Sequence, residues 1–520
     1  MSERVETLSD ETSGGGASRG GDANARGALA VDRWLPLTLA LTLVGVSAAV
    51  GVALGQPPRS VERALPPPPL EEEPFDHSAY FAKPFSSGPE VTLACLGCHS
   101  HAAGEVMQTS HWTWSGHGAD EGGGGYGKRN LLNNFCIGVQ SNWPRCTSCH
   151  AGYGWSDGGF FETATEAQVD CLVCHADPTV YQKDPAGAGL PAPGVDLRAA
   201  ARSVGPVGRG QCGTCHFSGG GGDAVKHGDL DGTMLHPSEQ IDVHMGRLDM
   251  VCTACHHTEQ HQVSGRLLPF GDADERRVSC EDCHAGAIHA DERIARHEAA
   301  VSCQACHIPY MALEAATKLS WDWSQAGQDP SVVATHDPQV ARDPHLYNKK
   351  KGRFTYGQRV PPEYRWYDGR STRLLPGERI DPARPVPISA PQGSVSDPAA
   401  KLYPFKIHRG RQPYDLEHGY LLVPKTFGPG GYWTDFDWDA ALRLGAEASG
   451  FPYSGRHGFA DTEMAWPLNH MVQSKERAMQ CADCHGETGR LDWRELGYPG
   501  DPARHGGRAQ RGLLSPRGPQ

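Results

Sequence analysis

Apolar residues along the chain form one long unbroken run and, beyond it, short clusters with no sustained period. The run covers residues 35–55 and carries no charge. As a helix it spans about 31 Å, close to a bilayer core of roughly 30 Å. It is longer than the apolar stretch of an ordinary secretory signal. Residues 35–55 therefore read as a transmembrane anchor or a signal sequence, and small residues such as Ser47, Ala48 and Ala49 are compatible with cleavage. Residues 1–34 are Gly- and Ser-rich and read as a disordered segment. Residues 56–90 read as a Pro-rich spacer. Further on, no alternating strand pattern of the kind found in sandwiches or barrels recurs. Helical spacing is clear from Asp437 to Glu447, in DWDAALRLGAE.

Composition sharpens this picture. Of 520 residues, 38% are hydrophobic, with 64 Gly and 40 Pro. Such a chain is poor in aliphatic side chains and rich in turns, so something other than side chains must fill its core. The formal net charge of -13 argues against nucleic acid as a partner. It leaves room for a small anionic substrate, provided the site carries its own positive charge.

The cysteines supply the missing core. All but one of the 17 Cys fall into eight copies of Cys-x-x-Cys-His. Their cysteines are Cys95 and Cys98, Cys146 and Cys149, Cys171 and Cys174, Cys212 and Cys215, Cys252 and Cys255, Cys280 and Cys283, Cys303 and Cys306, and Cys481 and Cys484. The histidines are His99, His150, His175, His216, His256, His284, His307 and His485. Chance would produce about 0.03 such motifs in a chain of this composition. Two thiols at this spacing bond the two vinyl groups of one haem, and the following His sits under the iron. Zinc ribbons have no reason to place His after every pair, and thioredoxin-like motifs do not come in eights. The motifs therefore predict eight covalent haems c. The expected fold is mainly α with extensive irregular loops, built round a packed array of eight haems.

Seven motifs lie in residues 91–310, read as the haem core. Residues 311–500, rich in aromatic residues and Pro, read as a wrapping region that carries the eighth motif. Residues 501–520 read as a polar tail. The motifs are unequally spaced, as in an irregular array rather than a solenoid. A haem with two His ligands is closed and suits electron transfer; one with a weak or unusual second ligand can bind substrate. Candidate distal ligands are His111, His227, His244, His261, His289, His297 and His470.

One region differs from the rest. The unpaired Cys136 and the basic Lys128, Arg129 and Arg145 all precede the second motif closely. After the third motif, the segment from Asp177 to Gly189 carries Lys183. A neutral Lys amine can ligate iron, and burial and coordination both lower its pKa.

The segments NNFCI (Asn133 to Ile137), SNWPRCTSCHAGYGW (Ser141 to Trp155), CLVCH followed by YQK (Tyr181 to Lys183), VKHGDLD (Val225 to Asp231), DVHM (Asp242 to Met245) and CHIP (Cys306 to Pro309) together resemble the octahaem tetrathionate reductase family of multihaem cytochromes. The resemblance implies that the second-motif haem is the active one and that Lys183 is an axial ligand of its iron. It also implies that Cys136 and Asn133 line the same cavity. Asp177, in the same segment as Lys183, joins them as a candidate catalytic residue.

The expected function is an exported reductase. Electrons would pass along the array to the second-motif haem, where a small sulfur or nitrogen oxyanion of the tetrathionate, nitrite or hydroxylamine class is reduced. The alternatives are a pure electron conduit and a hydroxylamine-type oxidase. Expected partners are redox proteins or membrane quinol-side carriers, with the membrane reached through the N-terminal segment. The expected location is the periplasm or the outer face of the cytoplasmic membrane.

Overall fold

The computed structural model describes residues 75–115, 127–135, 137–265 and 277–514. The candidate anchor or signal at residues 35–55, the segments flanking it as far as residue 74, and Cys136 lie outside the described residues. No described helix is long and apolar enough to cross a membrane.

Around the haem motifs the chain makes single turns of helix. The longer helices are α1 (Gly88–Leu96), α2 (Arg209–His216) and α3 (Trp438–Ser449). The Ser87 hydroxyl caps α1 by accepting from the Glu90 amide, which satisfies one of the orphan donors of a first turn. Asp437 caps α3 in the same way through Ala440, and Gly450, at φ 76°, ends it. This is the helix expected from the spacing after Asp437.

The mainly α expectation is overturned by a large sheet. Of the described residues, 29% are helical and 16% are in strands. Its strands are β1 (Thr317–Asp322), β2 (Tyr347–Asn348), β3 (Gly352–Gly357), β4 (Glu363–Tyr367), β5 (Ser371–Arg373), β6 (Val386–Pro391), β7 (Lys401–Asp415) and β8 (His457–Pro467). They form one sheet in the order β2-β3-β1-β7-β8-β6-β5, with β4 also paired to β7. The β7–β8 ladder is antiparallel and runs unbroken from His457 opposite Asp415 to Pro467 opposite Phe405. β7 pairs parallel with β1 and antiparallel with β4.

The physical reason that the sheet escaped the period-2 reading lies in β7. Its centre is buried on both faces, and one face carries Lys406, His408 and Gln412, all fully buried. Polar residues therefore stand where an inward apolar position would be expected. Other segments bond Lys406 and the Gln412 amide: Lys406 Nζ donates to the Val225 carbonyl at 2.8 Å and to the Thr317 hydroxyl at 2.6 Å, and Gln412 Nε2 donates to Asn134 Oδ1 and the Thr462 hydroxyl.

The largest apolar cluster sits on this sheet. It joins Trp321, Trp323, Phe354, Ile388, Met464 and Trp466 to Leu131, Leu132, Phe135 and Ile137 from the segment ahead of the second motif. The remaining clusters are small and separate. Side chains alone do not make one continuous core here, as the composition suggested.

Candidate active site

The second motif is held on a tight local frame. A helical turn at Trp143–Cys146, opened by Pro144, runs into a 3-10 turn at Thr147–Cys149. The buried Thr147 hydroxyl bridges the Trp143 and Trp155 carbonyls. These turns aim His150 inward, where it is fully buried. The rings of Trp112, Trp114, Trp155, Phe160 and Phe161 surround it at centroid distances of 4.7 to 6.3 Å. Burial pushes its pKa down to about 3, so the ring is neutral. Its Nε2 donates to the Trp112 carbonyl at 2.6 Å, and its Nδ1 faces the Gly152 backbone.

That orientation is the reverse of other motif histidines. His175, His256, His307 and His485 direct Nδ1 to Gly205 O, Ser264 O, Gln473 O and Asp501 Oδ1. A hydrogen bond on Nδ1 leaves Nε2 for a metal. At His150 the nitrogen needed for iron is already engaged.

Lys183 lies beside this motif. Its Nζ is 2.9 Å from Asp170 Oδ2 and donates to the carbonyl of His150, with the Gly152 carbonyl at 3.5 Å. Both side chains are buried. Asp170, which the sequence reading passed over, also accepts from the hydroxyls of Tyr153 at 2.7 Å and Tyr181 at 2.8 Å. The only signal for it was its place immediately before Cys171.

The basic residues take different positions. Lys128 lies over the Trp114 ring at 4.0 Å, and Arg129 over Phe161 at 5.7 Å. Arg145 faces Phe427 and Trp433 instead. Lys128 and Lys183 are both within charge reach of Cys149.

The segment before Cys136 is clamped. The Asn133 amide donates to the Ile137 carbonyl at 2.9 Å, and Asn133 Oδ1 accepts from the Phe135 amide at 2.8 Å. Ile137 sits at φ 70°, a strained conformation for a β-branched residue. Asn134 is fully buried and ties the segment to the sheet through His408 O, Gln412 and Thr462. Asp177 makes a local turn, accepting from the amide and hydroxyl of Thr179.

Histidines meet in pairs. Two imidazoles on one iron, each nitrogen at about 2.0–2.1 Å and each ring centre about 1.1 Å behind it, put ring centres about 6.3 Å apart. The ring centres of His111 and His216 are 6.2 Å apart, those of His244 and His284 6.1 Å, His256 and His470 6.3 Å, and His297 and His485 6.1 Å. His77 stands 6.4 Å from His99. The sequence reading missed His77 because it lies in the polar end of the spacer, ahead of every motif. His261 is within charge reach of His175 and bonds Glu105 at 2.8 Å; His289 bonds Glu298 at 2.7 Å. His227 packs on Trp466 at 5.4 Å.

Attachment cysteines meet as well. Side chains touch between Cys95 and Cys171, Cys149 and Cys215, Cys212 and Cys252, and Cys280 and Cys303. Cys174 lies near Cys212, Cys255 near Cys283, and Cys306 near Cys484. Such spacing suits haems packed edge to edge.

Comparison with known proteins agrees. The family model "Cytochrome c bacterial" matches residues 318–488. An uncharacterized protein of Archaeoglobus fulgidus is 24% identical over 287 residues, which is 45% of this chain and 92% of that protein. The crystal structure of octaheme cytochrome c from Shewanella oneidensis superposes with a TM-score of 0.76 at 44% identity, covering 83% of this chain and 98% of that one. Eight attachment motifs, ring pairs spaced for an intervening iron and this likeness lead to one conclusion: the chain belongs to the octahaem c-type cytochromes, multihaem redox proteins, and carries eight covalently attached haems c.

Proposed function

We propose that this octahaem cytochrome is a multi-electron reductase of small sulfur or nitrogen oxyanions, and that the second-motif haem is its substrate site. The observation that carries the reading is the reversed His150. Its Nε2 is committed to the Trp112 carbonyl, while the Lys183 amine lies at the same motif. Lys183 would then be the residue that holds this iron, which would remain accessible to substrate. The iron supplies the electrons; the chain supplies position and charge.

Lys128, Arg129 and Lys183 offset the charge of an incoming anion locally, against a negative whole-protein field. Arg145, turned to Phe427 and Trp433, belongs to the wall of the site. Cys136 acts as a thiol partner toward a sulfur–sulfur bond, with Asn133 beside it in sequence. The tetrathionate class is what the family resemblance implies.

The other haems are wiring. His77, His111, His470, His244 and His297 complete the irons of motifs one, four, five, six and eight. His261 and His289 complete motifs three and seven, and His227 is left without an iron. The cysteine contacts make a line through motifs one, three, four, five, six, seven and eight, and the second motif joins it at the fourth. The protein works outside the cytoplasm, fed by a redox protein or a membrane quinol-side carrier.

The test is optical and magnetic spectroscopy with and without tetrathionate, nitrite and hydroxylamine, alongside steady-state reduction of each with an artificial donor. Perturbation of one haem in wild type, its spectrum altered in Lys183→Ala, is the expected result. Eight bis-His haems untouched by any of the three compounds, with no turnover, sinks the reading and leaves an electron conduit.

A further inference from the structure

Away from the second motif, the histidine rings differ in what they donate to. His470 Nδ1 donates to Asp229 Oδ2 at 3.3 Å. That buried carboxylate also accepts from the Asn469 and His470 amides at 2.6 and 2.9 Å. His261 Nδ1 donates to Glu105 Oε2 at 2.8 Å. The motif rings paired with these two, His256 and His175, donate to the backbone carbonyls of Ser264 and Gly205.

Between the third and fifth motifs comes the fourth, where Cys212 touches Cys252 on one side and lies near Cys174 on the other. The fourth motif is also the one that meets the second, through Cys149 and Cys215. Its rings, His216 and His111, stand 6.2 Å apart. Among the described residues, no carboxylate or carbonyl accepts from either ring. The neighbours of the fourth haem therefore each have a carboxylate behind one ligand ring, and the fourth has none.

A carboxylate acceptor on Nδ1 draws the ring toward imidazolate. The ring becomes a stronger donor to iron, and a negative charge lies close to the metal. Both effects favour ferric over ferrous iron and lower the potential. We infer that Asp229 and Glu105 are positioning residues of the electron path: acting through His470 and His261, they hold haems five and three below haem four in potential, so that electrons from either end collect at haem four, beside the second. Each hop oxidises one iron and reduces the next by one electron, with no bond made or broken. The inference rests on the ligand assignments and the line of haems proposed above, and not on the choice between reductase and conduit.

Redox titration of the intact eight-haem protein, followed by optical and electron paramagnetic resonance spectra, tests it. Asp229→Asn and Glu105→Gln each keep an acceptor but remove its charge. Each should raise one component of the titration by about 10-fold in its reduction equilibrium, the difference between a charge-assisted and a neutral hydrogen bond. His111→Met moves haem four itself. The component it displaces should lie, in wild type, above the two that the carboxylate variants displace. Glu105 is half-buried, so Glu105→Gln is the variant to read where Asp229→Asn fails to assemble eight haems. An assembled variant with an unchanged titration overturns the inference. So does a haem-four component below that of either neighbour, or an equal shift of all components, which marks a purely structural role. If the haem spectra of His261→Ala are those of wild type, the ligand assignment fails and the inference with it. Raised components in both carboxylate variants, with no turnover of any anion, leave the inference standing and overturn the reductase reading alone.

Discussion

At the second motif the His150 ring is turned the opposite way from those of His175, His256, His307 and His485, and the space round it leaves it little freedom. A methyl group on Gly152 would lie 2.6 Å from the Trp112 ring and 2.8 Å from the His150 ring. Gly152→Ala should therefore destabilise the protein by about 1–3 kcal/mol, the usual range for overpacking. It should also disturb the second-haem spectrum. Gly158→Ala, with its nearest neighbour at 3.9 Å, should do neither. Thermal melts and absorption spectra of the two variants check this. A second residue-scale prediction concerns Asp229. Burial works to raise its carboxyl, but the His470 ring and the Asn469 amide outweigh it and hold it at about 2, below its ordinary 3.8. A depressed carboxyl stabilises the fold in full above its unfolded value. That contribution, about 2 kcal/mol, is lost as pH falls from near 3.8 through 2. Acid titration should detach His470 in this window in wild type, and Asp229→Asn should lose the dependence. At this scale the eight attachment motifs were legible in the sequence. His77 and Asp170 were not, because each earns its role from a partner that only folding brings near.

The sheet sets the second-motif region against its support. Asn134 reaches β7 and β8 with every polar atom engaged: Nδ2 to His408 O at 2.7 Å, Oδ1 from Gln412 at 2.5 Å and from Thr462 at 2.8 Å. Removing the amide leaves the His408 carbonyl and the Thr462 hydroxyl short of a partner, while Gln412 Nε2 keeps Thr462 at 3.1 Å; each such loss costs about 1–3 kcal/mol. Asn134→Ala should lower stability by about 2–4 kcal/mol and loosen residues 133–137, whose strained Ile137 depends on the clamp. Denaturant unfolding measures the first effect, and hydrogen exchange at the Phe135 amide the second. This network also explains why the sheet was hard to foresee. The inward face of β7 carries Lys406, His408 and Gln412, and the partners of Lys406 and Gln412 lie in segments far away in sequence, so local pattern reads it as a polar loop. The helix at Trp438–Ser449, amphipathic and capped within its own sequence, was legible for the opposite reason.

Across the whole molecule, the apolar clusters are disconnected until haems are placed among them. The attachment cysteines then describe how those haems touch. Cys149 meets Cys215, and motif four also meets motifs three and five through Cys212. On the proposed wiring the fourth haem is a junction: electrons from either end of the line would cross it to reach the second. Its proposed distal ligand is His111, 6.2 Å from His216. Exchanging that ligand for Met raises a haem's potential. A rise of ~0.1 V makes onward transfer uphill by about 2.3 kcal/mol per electron, or about 50-fold slower. His111→Met should therefore slow stopped-flow reduction of the second haem from donors at either end. His297→Met, at the terminal eighth motif, should slow only the route that begins there. Equal slowing by the two variants contradicts a branch at the fourth motif and places the second haem in line with the others.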